Sequence, residues 1–235
     1  MPLYLIGAGV AFDLTLSGLD ALKTCDQAFI ETYTNPIDDI AVENVEKLCG
    51  KKLTRIPREK VESQFLVDIA RDKKICLIVS GDPLTATTHI TLVMDAKKKG
   101  IEVFANHNSS IYSVAPARCG LQIYRFGKTP SLVNPRPNYK PTSSIDIIHS
   151  NQMANAHSLV LLDTEPKPME AKAALEMLSE FDTAVVLSRA GWPDEKITYG
   201  KITEIKGEDL GKPPFAIIIP AKLHPLEEEF LQGMK

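Results

Sequence analysis

Apolar runs without alternation recur along the first half of the chain, each followed by a polar or glycine-bearing turn and then by a helical pattern. Residues 75–79 (ICLIV) are the most uniform of these runs. A strand that is apolar on both faces belongs in a parallel sheet covered by helices. Residues 3–6, 27–33, 52–56 and 101–105 read as further strands. Between them, 15–25 reads as a helix, with Leu16, Leu19 and Leu22 on one face and Thr15 as its N-cap. Residues 38–48, stopped by Gly50, and 60–71 and 88–99, with Gly100 beyond, read as helices too. This alternation predicts a mostly parallel sheet with right-handed crossovers.

The second half changes rhythm. A helix runs from about 110 to Cys119, and strands are predicted at 158–162, 184–187, 197–201 and 215–219. Further helices are predicted at 168–181 and from about Leu226 onward. More strands and fewer crossover helices predict a mixed sheet. The fold class is therefore α/β with two α/β domains, spanning 1–112 and 113–235. Residues 130–144 carry four prolines, Pro130, Pro135, Pro137 and Pro141. Such a stretch is expected to form neither a regular helix nor a central strand. It reads as an exposed connection or as a lid or docking loop, made locally basic by Arg125, Lys128, Arg136 and Lys140.

Composition narrows the picture. The 235 residues are 44% hydrophobic, enough for a full core. A net charge of -3 gives no global footprint for nucleic acid. No apolar run reaches the roughly 18 residues that span a bilayer. The start, MPLYLIGAGV, lacks a basic leader and reads as a strand and turn, not a signal peptide. Cys25, Cys49, Cys76 and Cys119 are far apart without a CxxC pair, so they are expected to be buried thiols of a reducing cytoplasm, with neither a metal site nor a disulfide.

Candidate chemistry lies in the turns. Ser80-Gly81-Asp82-Pro83, followed by Thr85, Thr87, Thr88 and His89, ends the fourth strand. His107-Asn108-Ser109-Ser110-Ile111 ends the fifth. Ligands of open α/β sheets bind beyond the carboxyl ends of the strands. Two polar strand ends in one sheet therefore point to a cleft. His107 reads first as an ordinary hydrogen-bonded turn residue, and His89 is open between the same role and a functional one. Gly7-Ala8-Gly9 begins like a dinucleotide fingerprint, but Phe12 replaces its third glycine and Glu31 matches its acidic residue only loosely. The glycines predict close packing against that turn.

The motifs LYLIGAG (3–9), IETYT (30–34), GDPLTATTH (81–89), HNSSI (107–111), CGLQIYRFGKT (119–129) and LVLLD (159–163) occur in this order. SRAGWPDEKITYG (188–200) and LHPLEEEFL (223–231) continue the series. In these the chain resembles the diphthine synthase family, class III methyltransferases related to the tetrapyrrole methylases. The resemblance implies a homodimer with S-adenosylmethionine in a cleft between the two domains. It implies cofactor contacts from Val10, Asp82, Thr85, Ser110, Ile111, Leu162, Leu187 and Phe215. It implies methylation of the amine of the modified histidine of translation elongation factor 2 during diphthamide biosynthesis, with no catalytic base assigned and no metal. The alternatives are a tetrapyrrole or other small-molecule methyltransferase, a ribosomal RNA methyltransferase, and a non-catalytic cofactor-binding module. The chain departs from the family pattern in its compressed first turn, in 130–141, and at Phe215, where histidine is frequent.

Overall fold

The computed structural model describes residues 1–135 and 142–234. The chain divides into two compact units, Met1–Ser110 and Ile111–Lys235.

In the first unit the elements are β1 (Leu3–Gly7), α1 (Leu16–Thr24), β2 (Gln27–Glu31), α2 (Asp39–Cys49) and β3 (Thr54–Ile56). There follow α3 (Arg58–Val61), α4 (Phe65–Ile69), β4 (Ile75–Val79), α5 (Ile90–Lys98) and β5 (Val103–Asn106). The sheet has the order β3-β2-β4-β1-β5 and every pairing is parallel. β4 is buried at all five positions, as an interior strand of a helix-covered sheet must be. The order makes β4, β1 and β5 neighbours, so the turns after them emerge side by side. Leu3, Leu5, Ile75, Leu77 and Val79 form the centre of a core with Leu66, Val67 and Leu92.

The second unit holds α6 (Ile111–Arg118), a 3-10 turn at Ile123–Arg125, β6 (Ser131–Leu132), α7 (Ser143–Met153), β7 (Ser158–Leu162) and α8 (Ala171–Met177). β8 (Thr183–Ser188), β9 (Lys196–Lys201), α9 (Ile202–Ile205), β10 (Phe215–Ile219) and α10 (Pro225–Gln232) complete it. Its sheet, β6-β7-β10-β8-β9, is mixed: β6 runs parallel to β7 and the other pairings are antiparallel. No helix among the described residues is long and apolar enough to cross a membrane.

Several expectations need correction. The helix expected over 60–71 is two short ones, because Ser63 interrupts it: its Oγ donates to the Lys60 carbonyl at 2.8 Å and accepts from the Phe65 N–H at 3.2 Å. The strand expected to reach Tyr33 ends at Glu31, and the helix expected over 168–181 is only Ala171–Met177. α7 has no counterpart in the sequence reading. Its serines, asparagine and β-branched isoleucines are poor helix formers, and burial of Ile148, Ser144 and Asn151 stabilises it instead. The proline-rich stretch does contain a strand, β6, but at the sheet edge, where ladder hydrogen bonds are needed on one side only. Arg136, Pro137, Lys140 and Pro141 lie outside the described residues.

A further correction concerns the cysteines. Cys25 and Cys76 form a disulfide, with Cα atoms 6.2 Å apart. Cys25 closes α1, Cys76 lies mid-β4, and the crossover that lays α1 on the sheet brings them together. Cys49 and Cys119 are free and buried.

Candidate functional site

The site in the first unit is assembled from three strand ends. Gly9 and Gly81 exchange backbone hydrogen bonds, N to O at 3.1 and 2.9 Å, and the Ala8 N–H donates to the Val79 carbonyl at 2.8 Å. The turn after β1 is thereby stitched to the turn after β4. Gly7 and Gly9 are required by this closeness. A Cβ on Gly7 would stand 2.7 Å from the Gly81 carbonyl oxygen and 2.9 Å from Pro83 Cδ. Gly9 has φ +66°, and a Cβ there would meet Asp13 Oδ1 at 2.5 Å. The close packing expected at the early glycines is thus the turn after β4 at Gly7, and Asp13 with the turn after β5 at Gly9.

Asp82 joins the third strand end. Its Oδ1 accepts from the Leu84 N–H and the Thr85 hydroxyl, both at 3.0 Å. Its Oδ2 accepts from His107 Nδ1 at 2.7 Å and from the Asn108 N–H at 3.3 Å. Burial raises the carboxyl, but the donors Leu84, His107 and Thr85 outweigh it and hold Asp82 below the usual carboxylate range. A saturated, ionised carboxylate is a clip between two turns and a poor proton acceptor. Asn108 adds a second clip, donating from Nδ2 to the carbonyls of Gly7 at 3.0 Å and Asp13 at 2.7 Å. Val10 N–H donates to Ser109 Oγ at 3.2 Å.

The structure therefore brings Val10, Asp82, Thr85 and Ser110 to one set of adjoining turns. The main-chain groups of Gly9 and Gly81 are spent on each other, so the turns frame a space between them. A Cβ built on Gly81 would meet nothing closer than the Ser109 carbonyl oxygen at 3.9 Å, so a ligand can approach that backbone closely. This open, glycine-lined cradle has room for a cofactor to lie against the turn. The Asp82 side chain makes turns, which sequence reasoning did not anticipate. His107 is the hydrogen-bonded turn residue expected, and its side chain remains 66% exposed.

Behind the turn lies a buried polar group that sequence reasoning missed. Glu31 and His89 are each 1% exposed, with Oε2 and Nε2 3.3 Å apart. Tyr33 Oη lies 3.0 Å from the same Nε2, and His89 Nδ1 is 2.9 Å from the Pro83 carbonyl oxygen. Glu31 is committed here and not to any ribose. The signal was present as IETYT and ATTH, but nothing in their spacing pairs them.

Ile111, Leu162, Leu187 and Phe215 belong to the second unit. Ala216 of β10 pairs with Leu161 of β7 on one side and with Leu187 of β8 on the other. Leu162, Leu187 and Phe215 thus lie at one end of three adjacent strands, and Ile111 opens α6. Leu162 and Phe215 pack against the unit's hydrophobic core. Leu187 alternates with Val186, a core residue, and faces the other side of the sheet. Arg125, expected to add to a basic surface, is instead paired with buried Glu227.

A family model described as Tetrapyrrole (Corrin/Porphyrin) Methylases matches residues 2–206. The chain is 39% identical to a diphthine synthase of Methanocaldococcus jannaschii, across 94% of this chain and 93% of that protein. It is 38% identical to a diphthine synthase of Staphylothermus marinus, across 96% and 90%. A crystal structure of diphthine synthase superposes with a TM-score of 0.91 at 30% identity, covering 100% of this chain and 96% of the other. The chain belongs to the tetrapyrrole methylase family and, within it, to the diphthine synthases.

Proposed function

We propose that this chain is an S-adenosylmethionine-dependent methyltransferase that methylates the amine of the modified histidine of elongation factor 2 in diphthamide biosynthesis. The observation that carries this reading is likeness to diphthine synthases over nearly the whole length of both chains. It also disfavours the tetrapyrrole and non-catalytic alternatives, since the relatives matched over nearly their whole length carry the name diphthine synthase.

When bound, the cofactor supplies a methyl group on a sulfonium, already activated for in-line displacement. The chain's own residues have the task of binding and orienting. Val10, Asp82, Thr85 and Ser110 are assigned to cofactor contacts in the first unit, and Ile111, Leu162, Leu187 and Phe215 in the second. Asp82 orients its turn and Thr85, while the space beside Gly81, into which no side chain projects, admits the ligand. Holding reactants in alignment supplies about 7–11 kcal/mol in favourable cases. An amine nucleophile needs only to be deprotonated, so Asp82 need not act as a base. A homodimer in the cytoplasm completes the reading and rests on the resemblance to the family. The Cys25–Cys76 disulfide stands against the cytoplasm, since intracellular disulfides are unusual outside hyperthermophiles.

The test is methyl transfer from labelled cofactor to elongation factor 2 carrying the unmethylated intermediate, beside tetrapyrrole precursors. Label is expected in the factor and should vanish when its target histidine is replaced. Label in the tetrapyrrole alone, or in neither, would overturn the reading.

A further inference from the structure

The pair Glu31 and His89 has no role in the contacts assigned so far, yet a fold rarely buries two ionisable side chains without one. β2 delivers Glu31 as its last residue, facing inward beside β4. His89 precedes α5 directly and points back beneath the turn that began at Gly81. His89 Nδ1 faces the Pro83 carbonyl at 2.9 Å, which accepts only, so this nitrogen carries a hydrogen. His89 Nε2 faces Glu31 Oε2 at 3.3 Å and Tyr33 Oη at 3.0 Å. A bare lone pair on Nε2 can accept from the Tyr33 hydroxyl but still confronts the carboxylate, whereas a proton there turns repulsion into attraction. The Tyr33 hydroxyl also faces Glu31, and the imidazolium adds the counter-charge that a neutral hydroxyl does not.

The surrounding charges agree. Glu62 accepts from the Thr88 hydroxyl at 2.9 Å and pairs with Arg58 at 2.9 Å. Arg58 also stands over the Tyr33 ring, 5.7 Å from its centroid. Burial opposes charge on His89, but the Glu31 carboxylate, the Pro83 carbonyl and Glu62 outweigh it, and the imidazole is raised above its ordinary value. Burial and Glu31 both push the Tyr33 phenol up, so it stays protonated.

Pro83 is thus held from below by His89 while its neighbour Asp82 is held from the side by His107 and Asn108. We propose that His89 is a positioning residue, an imidazolium locked by Glu31 that sets the 81–85 turn for cofactor binding. This rests on the reading of that turn as part of the cofactor site. Losing the His89 proton leaves Glu31 buried without its counter-charge, and the turn loosens. The lock is closed below the folded value of His89 and opens as pH rises through it.

The experiment is calorimetric titration of S-adenosylmethionine into the full chain, wild type, His89→Gln and Glu31→Gln, from about pH 6 to about pH 9. Nitrogen-15 NMR of the His89 ring accompanies it. The ring should be doubly protonated at neutral pH in the wild type. His89→Gln should weaken cofactor binding roughly tenfold at low pH, leave kcat at saturating cofactor nearly unchanged, and flatten the pH profile relative to wild type. Glu31→Gln keeps side-chain size, so it serves even where His89→Gln folds poorly; it should shift His89 titration and the binding profile together to lower pH. A singly protonated His89 ring at neutral pH overturns the proposal, as do parallel binding profiles for wild type and Glu31→Gln. A wild-type chain that binds no cofactor overturns the functional reading itself, and the proposal with it.

Discussion

His107 Nδ1 and Asp82 Oδ2 lie 2.7 Å apart, and this one pair ties the end of β5 to the turn that follows β4. Three further donors fill the remaining positions on Asp82, so the carboxylate is a hub for the site's main chain.

Asp82→Asn tests the hub. An amide presents one acceptor oxygen and turns an NH2 toward groups that are themselves donors. The loss should be about 1–3 kcal/mol of stability, read as a lower denaturant midpoint, with cofactor affinity falling alongside. Unchanged stability with weakened binding would instead mean that Asp82 serves the ligand directly. A turn carboxylate seen in sequence alone suggests that second outcome; four donors argue for the first.

Gly7→Ala addresses the close approach of two turns. Its Cβ would fall 2.7 Å from the Gly81 carbonyl oxygen, an obstacle of main chain that does not rotate away. Overpacking of this kind costs about 1–3 kcal/mol. Because the displaced atom belongs to the turn after β4, binding of S-adenosylmethionine should drop more than stability does. Calorimetry with wild-type affinity for the variant would show that the turn tolerates the displacement.

The disulfide makes a countable prediction. Denatured without reductant, the chain should yield two reactive thiols, from Cys49 and Cys119, and four after reduction. Cys25 and Cys76 are 51 residues apart in sequence, and closing a loop of that size in the unfolded chain is worth about 4 kcal/mol on the chain-entropy model. Cys76→Ala should therefore lower the denaturation midpoint. Four thiols before reduction would remove the cross-link from the account.

The centre of the first sheet was legible because β4 is apolar on both faces and buried throughout. Residues 75–79 and 215–219 match β4 and β10 at both ends. The polar turns were legible as turns, since Gly81 and Pro83 punctuate the chain wherever they occur. What stayed hidden depends on neighbours distant in sequence. Glu31 reads as a surface acid until β2 is laid beside β4 and His89 arrives from the far side of the turn. Cys25 and Cys76 read as two thiols until the α1 crossover stacks them. α7 was missed for a different reason: its sequence lacks helical propensity, and packing of Ile148 compensates. CGLQIYRFG was legible as a motif, but its anchor, Glu227, lies about a hundred residues on.

That anchor gives the last prediction. Glu227 is fully buried and accepts from the N–H groups of Gln122 at 3.0 Å and His224 at 2.7 Å, as well as from Arg125. His157 Nε2 stands 3.3 Å from its Oε1. The Ala221 N–H donates to His157 Nδ1 at 2.9 Å, so Nε2 carries the proton of a neutral ring. Burial pushes the His157 imidazole down, against the pull of Glu227. Burial raises the Glu227 carboxyl, but the donors around it win and hold it low. Both shifts have the same sign in linkage, because the unfolded chain binds protons that the fold refuses. The His157 contribution is complete above about pH 6.5 and is lost as pH falls from there toward its folded value. The Glu227 contribution is complete above about pH 4.3 and is lost as pH falls through its own folded value. Trp192, the single tryptophan, lies in the second unit and reports its unfolding by fluorescence. The wild type should weaken in two stages on acidification. Glu227→Gln should cost about 1–3 kcal/mol at neutral pH, because it takes the counter-charge from partly buried Arg125 and leaves one acceptor oxygen for three N–H donors, and the lower acid stage should disappear. A variant as stable as the wild type, with both stages intact, would place the stability of the second unit elsewhere.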